Sequence, residues 1–161
     1  MGIRVEVLGK AEAIDRYRRM GAKAPAAMLQ AVQEEMTKLA DYVRATKLQG
    51  NPLNHRSGRL SRGVTGSASI DGDTIEGKVG VPVDEVPYAP VHEHGGTFQV
   101  PSYQREVSKV FGKSVTPFKQ TVSAHTATYP QRAFLRPSMD ERRDAIMKSL
   151  NAKLSKVLRE A

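Results

Sequence analysis

A pair of histidines flanks a glutamate in His92-Glu93-His94, and these are residue types that bind metal ions. A catalytic zinc needs three protein ligands, at spacings that bring them together. The other two histidines, His55 and His125, are both distant in sequence from this pair. The spacing therefore does not favour a metal site, and we expect no cofactor.

Two arginines three residues apart, Arg59 and Arg62, lie in the stretch Ser57-Gly58-Arg59-Leu60-Ser61-Arg62. If both guanidinium groups lie on one side of a turn, they can bind a carboxylate or a phosphate through charge-assisted hydrogen bonds. A solvated loop is the alternative reading of the same residues.

Catalytic motifs are missing from the sequence. It contains no Gly-x-Ser-x-Gly elbow, no phosphate-binding glycine loop and no His-Glu-x-x-His. The absence of cysteine excludes disulfides and thiolate metal sites. We therefore expect that the protein is not an enzyme.

The net charge of +8 is unevenly distributed along the 161 residues. Residues 97–138 carry six basic side chains and one acidic side chain, an excess of +5. This suits an anionic partner, either nucleic acid or an acidic protein surface, although a solvated arm explains it as well. No apolar run approaches the ~18 residues of a membrane span, and Met1 to Arg4 do not begin a signal peptide. We expect a protein kept in a cytoplasm, or in a particle assembled there.

The first half of the chain shows clear secondary-structure periodicities. Alternation predicts a strand over Ile3 to Val7, and composition predicts a short helix over 11–20. Apolar residues at three- and four-residue steps predict a long helix over 25–47. Two β-patterned runs, 64–70 and 74–81, are separated by Asp71-Gly72-Asp73, which predicts a hairpin.

A basic segment, residues 97–128, has the composition of an inserted arm. It fits a long basic β-hairpin with a turn at Gly112-Lys113, or a partly disordered loop. The preceding pair Gly95-Gly96 indicates a tight turn or a close backbone approach. Residues 124–129 are predicted to form a strand.

The C-terminal block runs from Pro130 to Arg159. Ser138 and Glu141 have the spacing of a capping box, which predicts a helix start at this point. Phe134 and Leu135 are predicted to be a buried strand end that closes the sheet. The fold class expected is α+β in a single domain, 1–161: an antiparallel sheet packed against a long helix and a C-terminal helix, with an extended β-hairpin arm.

Three blocks occur in a fixed order: Ser57 to Arg62, Tyr88-Ala89-Pro90-Val91-His92-Glu93-His94-Gly95-Gly96, and His125 through Pro130-Gln131-Arg132-Ala133-Phe134-Leu135-Arg136-Pro137. With the intervening hairpin, this pattern resembles the tail-completion or virion-morphogenesis proteins of tailed bacteriophages, over roughly residues 25–150. The chain departs from that pattern at His94 and Ala133.

The resemblance implies a structural virion protein of the neck or tail, assembled in the host cytoplasm. Copies would form a ring, commonly sixfold, that contacts other neck and tail proteins and surrounds DNA without reading its sequence. Extended arms can add to a neighbour's sheet edge, and arginines can form ion pairs between subunits. The candidate interface residues are Arg59, Arg62, Tyr88, Glu93, Phe98, Tyr103, Phe118 and Arg136.

Several functional alternatives stay open at this point. Within the virion, the ring is either a connector or a tail terminator that ends tube polymerisation. From other classes, the chain is a basic nucleic-acid-binding protein, or a metal-dependent hydrolase built on His92 and His94.

Overall fold

The computed structural model describes residues 2–6, 23–54 and 57–160. In chain order they form β1 (Gly2–Glu6), α1 (Lys23–Thr46), α2 (Arg59–Gly63), β2 (Thr65–Asp71), β3 (Thr74–Gly80), α3 (Ala89–His94), β4 (Gly96–Val100), β5 (Tyr103–Val110), β6 (Lys113–Val122), β7 (His125–Tyr129) and α4 (Leu135–Glu160). The helix predicted over 11–20 lies outside the described residues, as do Val7 and His55.

Helix α1 confirms the strongest periodicity in the sequence. Its buried residues recur at three- and four-residue steps: Met28, Ala31, Val32, Met36, Leu39, Ala40 and Val43. Such spacing places them on one face of a helix, where their burial drives packing. That face rests on the sheet and supplies the centre of the hydrophobic core.

Strands β2 and β3 form the predicted hairpin. The register pairs Ile70 with Ile75 and Asp71 with Thr74, and Gly72 has φ 57° in the turn. Strand β1 pairs antiparallel with the other side of β3, which gives the order β1-β3-β2. The sheet thus joins the start of the described chain to the hairpin, as predicted.

Glycines allow α1 to approach this sheet closely. A Cβ atom on Gly66 would lie 2.3 Å from the carbonyl oxygen of Met36, and one on Gly77 would lie 2.9 Å from Met36 Cγ. The Gln33 side chain donates to Gly66 O at 3.0 Å and accepts from Ala68 N at 2.8 Å. Because β2 is an edge strand, Gln33 satisfies backbone groups that the sheet leaves unpaired.

Helix α4 lies along α1 and closes the core. Ile146 and Leu150 are buried at the predicted positions, and Met139 packs against the core. The two helices are also joined by polar contacts. Tyr42 Oη donates to Glu141 at 2.7 Å, and Lys47 Nζ lies 2.6 Å from the same carboxylate.

The strand predicted over 124–129 is confirmed as β7, but three predictions for the end of the chain are wrong: the closing of the sheet, the strand end and the capping box. The strand over residues 125–129 pairs with β4 and stands apart from the β1-β3-β2 sheet. Helix α4 begins at Leu135, so Phe134 and Leu135 are buried at a helix start instead of a strand end. Ser138 already lies inside the helix, where its hydroxyl donates to Phe134 O at 2.6 Å, so it forms no capping box.

The predicted fold class is confirmed: an α+β protein with an antiparallel sheet, a long helix, a C-terminal helix and an extended β-hairpin arm. None of the helices in the described part of the chain is long and apolar enough to span a membrane.

Candidate assembly interface: the arm and its root

Residues 96–129, which we call the arm, form one long two-stranded ribbon. Strand β4 pairs with β7 from Gly96↔Tyr129 to Val100↔His125, and β5 resumes with β6 at Tyr103↔Val122. Two residues separate the ladders in each strand, so the register is unchanged across the gap. Pro101 lies in the gap and has no N–H to donate, which accounts for the interruption.

The outer end of the arm carries a bulge and a tight turn. Pairing shifts between Val107 and Lys109, opposite a stretch of β6 that contains Pro117. The turn is formed by Phe111 and Gly112, whose φ angles are 50° and 80°. Positive φ at both positions is typical of the two-residue turns that suit a twisted ribbon. The hairpin alternative is therefore confirmed, with the turn one residue earlier than predicted.

The arm root, Gly95 and residues 130–132, is held against α3. Gly95 has φ 67°, and a Cβ atom there would lie 2.8 Å from Gln131 N, so only glycine fits. The Arg132 amide donates to His92 O at 2.7 Å, and the Gln131 side chain donates to Glu93 O at 3.0 Å. The predicted close backbone approach at Gly95 is confirmed.

Glu93 caps the start of α4 from a distant part of the sequence. Its Oε2 accepts from the amides of Phe134 and Leu135 at 2.8 and 2.9 Å, and its Oε1 accepts from Arg136 at 3.0 Å. Pro137 follows and has no amide hydrogen. A carboxylate at a helix N-terminus also interacts favourably with the helix dipole. One side chain thus accounts for the amides that the helix cannot satisfy itself.

The structure places Glu93 inside the protomer, with 4% of its surface exposed. The sequence predicts an interface role for Glu93, but its carboxylate is buried and accepts three hydrogen bonds within one chain. It joins the second and third sequence blocks, and so it connects the arm root to the core. Ser138 and Glu141 do not cap α4, because the Glu93 carboxylate, which is distant in sequence, already accepts from the amides at the start of that helix.

Arg59 and Tyr88 meet in a cleft of about 620 Å³ beside the arm root. His92 and Arg132 line the same cleft, and the Tyr88 ring stacks edge-on against His92 at 5.8 Å. Arg62 does not line this cleft, although its guanidinium lies near Gly58, which does. Arg136 lines a shallow depression beyond the root.

The three candidate arginines, Arg59, Arg62 and Arg136, are exposed. None of them takes part in the ion pairs formed between described residues. Their proposed role between subunits stays a prediction.

Three of the four aromatic candidates lie on the surface of the arm, and the fourth, Tyr88, lines the cleft beside its root. Phe98, Tyr103 and Phe118 are 42%, 46% and 49% exposed. Tyr129 is 47% exposed and stacks edge-on against Phe98 at 6.0 Å, yet sequence reasoning did not select it. The signal was present in β7, where Ala127 and Tyr129 alternate with threonines.

His92 and His94 do not assemble a metal centre with any third ligand among residues 2–6, 23–54 and 57–160. His92 faces the cleft at the arm root. Burial, and then the nearby Arg132 guanidinium, lower the pKa of His92.

Mild acidification is expected to destabilise the fold through His92. Its folded-state pKa lies below the unfolded value of about 6.5, so the unfolded chain takes up the proton first. Stability is therefore full above about pH 6.5 and falls as the pH decreases from there towards the folded pKa. Thermal melts between about pH 7.5 and 5.5 measure this fall, and His92→Gln should flatten it. An unchanged slope in the variant would contradict the assignment.

In comparisons with protein-family models, with curated proteins and with solved structures, this chain has no match.

Proposed function

We propose that this protein is a structural component of a tailed-phage virion that assembles into a ring at the neck or tail. The arm carries this proposal. A two-stranded ribbon is at best marginally stable alone in water, and this one exposes five large aromatic side chains, Phe98, Tyr103, Phe111, Phe118 and Tyr129. Contiguous exposed apolar surface marks interaction sites. The arm thus has the properties of a segment that is completed by a partner.

A ring subunit that carries such an arm needs a body that folds by itself and a fixed attachment for the arm, and this protein has both. Its own core is closed by α1, the sheet and α4. The arm leaves from a root that is fixed by Gly95, by hydrogen bonds of the Gln131 side chain and the Arg132 amide to the backbone of α3, and by Glu93. A rigid root holds the arm at a constant angle in every copy. Head-to-tail contacts between identical copies then form a ring when the rotation that relates one copy to the next closes on itself.

The sequence blocks support the same proposal. The block that ends at Gly96 contains one side of the arm root, Gly95, and the third block contains the other side, residues 130–132. The two blocks are joined through Glu93. Their fixed order in the resemblance to phage tail-completion proteins therefore has a physical basis. Within this proposal the ring has six copies and joins or caps the tail tube around the DNA channel. A tail terminator is the alternative position.

The test shortens the arm without disturbing its root. Val100 and His125 are directly paired, so residues 101–124 can be replaced by Asn-Gly, a sequence suited to a two-residue turn. We expect the native protein to form rings in light scattering and negative-stain images. The shortened protein should remain folded by circular dichroism and be monomeric, because the interface in the outer half of the arm is gone.

A matched control changes the polar side of the arm, with Gln104→Ser and Thr121→Ser, and should keep the rings. Rings formed by the shortened protein, or a monomeric native protein, would defeat the proposal.

Nucleic-acid binding is the second candidate, and the charge of the arm favours it. Between residues 96 and 129 lie four exposed basic side chains and one exposed acid: Arg105, Lys109, Lys113, Lys119 and Glu106. This function requires DNA affinity that falls steeply with salt. A defined oligomer that forms without DNA decides in favour of the structural role.

A further inference from the structure

The base half of the arm, β4 with β7, has an apolar face and a polar face. Side chains alternate along paired strands, and one face, which we call the base patch, carries Phe98, Val100, Ala127 and Tyr129, with His125 opposite Val100 at its outer edge. The opposite face carries Thr97, Gln99, Thr126 and Thr128, which are joined across the ladder by hydrogen bonds of 3.2 Å. The ring of Phe98 lies over Gly96, within 3.1 Å of where a Cβ would stand.

The outer half, β5 with β6, is divided in the same way. Its apolar face, the outer patch, carries Tyr103, Val107, Phe118 and Val122. Arg105 lies in the middle of this patch, where Gln120 Oε1 accepts from its Nε at 2.9 Å and from its Nη2 at 2.7 Å. The opposite face is polar and pairs Glu106 with Lys119.

Alternation continued across the two-residue gap places the two patches on opposite faces of the ribbon. The step from Val100 to Tyr103 is three residues, and so is the step from Val122 to His125, while the register is unchanged. An odd step along an alternating strand changes the face. The arm therefore has an apolar patch on each face, and each patch can contact a neighbouring copy.

We propose that the outer patch of one copy packs on the base patch of the next copy, so that every arm is used twice, head to tail. This inference rests on the proposed function, in which the protein assembles with itself, and it specifies which surfaces of neighbouring copies are in contact. Residues Phe98 and Tyr129 offer aromatic faces, and Arg105, already fixed by Gln120, offers a planar cation. A guanidinium over an aromatic ring is a favourable contact.

The same chemistry disfavours pairing of like with like. Two outer patches face to face would bring two copies of Arg105 together, with no carboxylate on either patch. Pairing of unlike patches leaves a second patch open on each copy, which continues the assembly until a ring closes.

The test uses two variants that each lose one patch. The base variant carries Phe98→Thr and Tyr129→Thr, and the outer variant carries Tyr103→Thr and Phe118→Thr; threonine keeps the strand preference. Each variant alone should be monomeric at a concentration where the native protein forms rings. An equimolar mixture should form a heterodimer and nothing larger, because only one complementary contact remains. Native mass spectrometry measures these masses.

Each other outcome overturns the inference. A base variant or an outer variant that dimerises alone shows that like patches pair. Rings formed by each variant alone, or a mixture of folded variants that stays monomeric, show that the patches do not bind each other. These failures leave the proposed ring intact when the native protein still assembles, whereas a monomeric native protein rejects the proposed function itself. The control, Gln99→Thr with Thr128→Ser on the polar face, should assemble as the native protein does.

Discussion

Replacing Glu93 by glutamine should lower the free energy of unfolding by roughly 3 kcal/mol, because hydrogen bonds to a charged acceptor contribute about 1.5–3 kcal/mol. The carboxylate accepts from three amides at once, those of Phe134, Leu135 and Arg136, at 2.8 to 3.0 Å. Glutamine has the same size, but its amide nitrogen cannot accept, so at least one amide of α4 loses its partner. The lost negative charge also removes the favourable interaction with the helix dipole.

Urea unfolding of Glu93→Gln and of the native protein measures this difference, and the melting temperature should fall by about 6 to 12 °C for a chain of this size. Glu85→Gln is the matched control, since Glu85 is an exposed carboxylate a short distance earlier in the chain. Surface substitutions of this kind usually change stability by less than about 0.5 kcal/mol. If the two variants are equally stable, the hydrogen bonds of Glu93 to the start of α4 do not stabilise the fold.

Gly66→Ala should cost about 3 kcal/mol or more, at the upper end of overpacking effects. The new Cβ would lie 2.3 Å from the Met36 carbonyl oxygen and 2.5 Å from its carbon. These are backbone atoms of α1, so no side chain can rotate away to make room. Helix α1 has to retreat from β2, and the two hydrogen bonds of Gln33 to that strand are stretched.

The control for this substitution is Ser69→Ala, on the solvent side of the same strand. Chemical denaturation should separate the two variants clearly. If Gly66→Ala unfolds at the same denaturant concentration as Ser69→Ala, the close approach of helix and sheet does not limit stability.

Local patterns predicted the elements whose residues act through their near neighbours. The three- and four-residue spacing from Met28 to Val43 is set by one helical face, and the Asp71-Gly72-Asp73 turn is set by its own backbone angles. Both were readable because period and turn chemistry are encoded within a few residues.

The position of Glu93 was beyond such patterns. Its partners lie 41 to 43 residues further along the chain. The local spacing of Ser138 and Glu141 predicted a cap one turn too late. Sequence alone does not show which acceptor binds the first amides of a helix when that acceptor is distant along the chain. Glu141 is instead held by Tyr42 of α1 and by Lys47, which directly follows that helix.

The arm was predicted as a segment, but its faces were not. Its aromatic residues seemed irregularly spaced because the apolar side chains change from even positions, such as Phe98, to odd positions, such as Tyr103. The change occurs at Pro101, where the ladder is interrupted. The two patches are separated by the register of the paired strands, and that register is visible only in the folded ribbon.

The unchanged register between Gly96 and Val107 also makes the length of the arm adjustable. Deleting facing residues in pairs, one from each strand, leaves all the remaining partners matched. Removing two such pairs shortens the reach by about 7 Å and keeps each side chain on its own side, whereas removing one pair inverts everything beyond the cut. Selection can therefore change the span of the arm in steps of two residues per strand without altering the body that carries it.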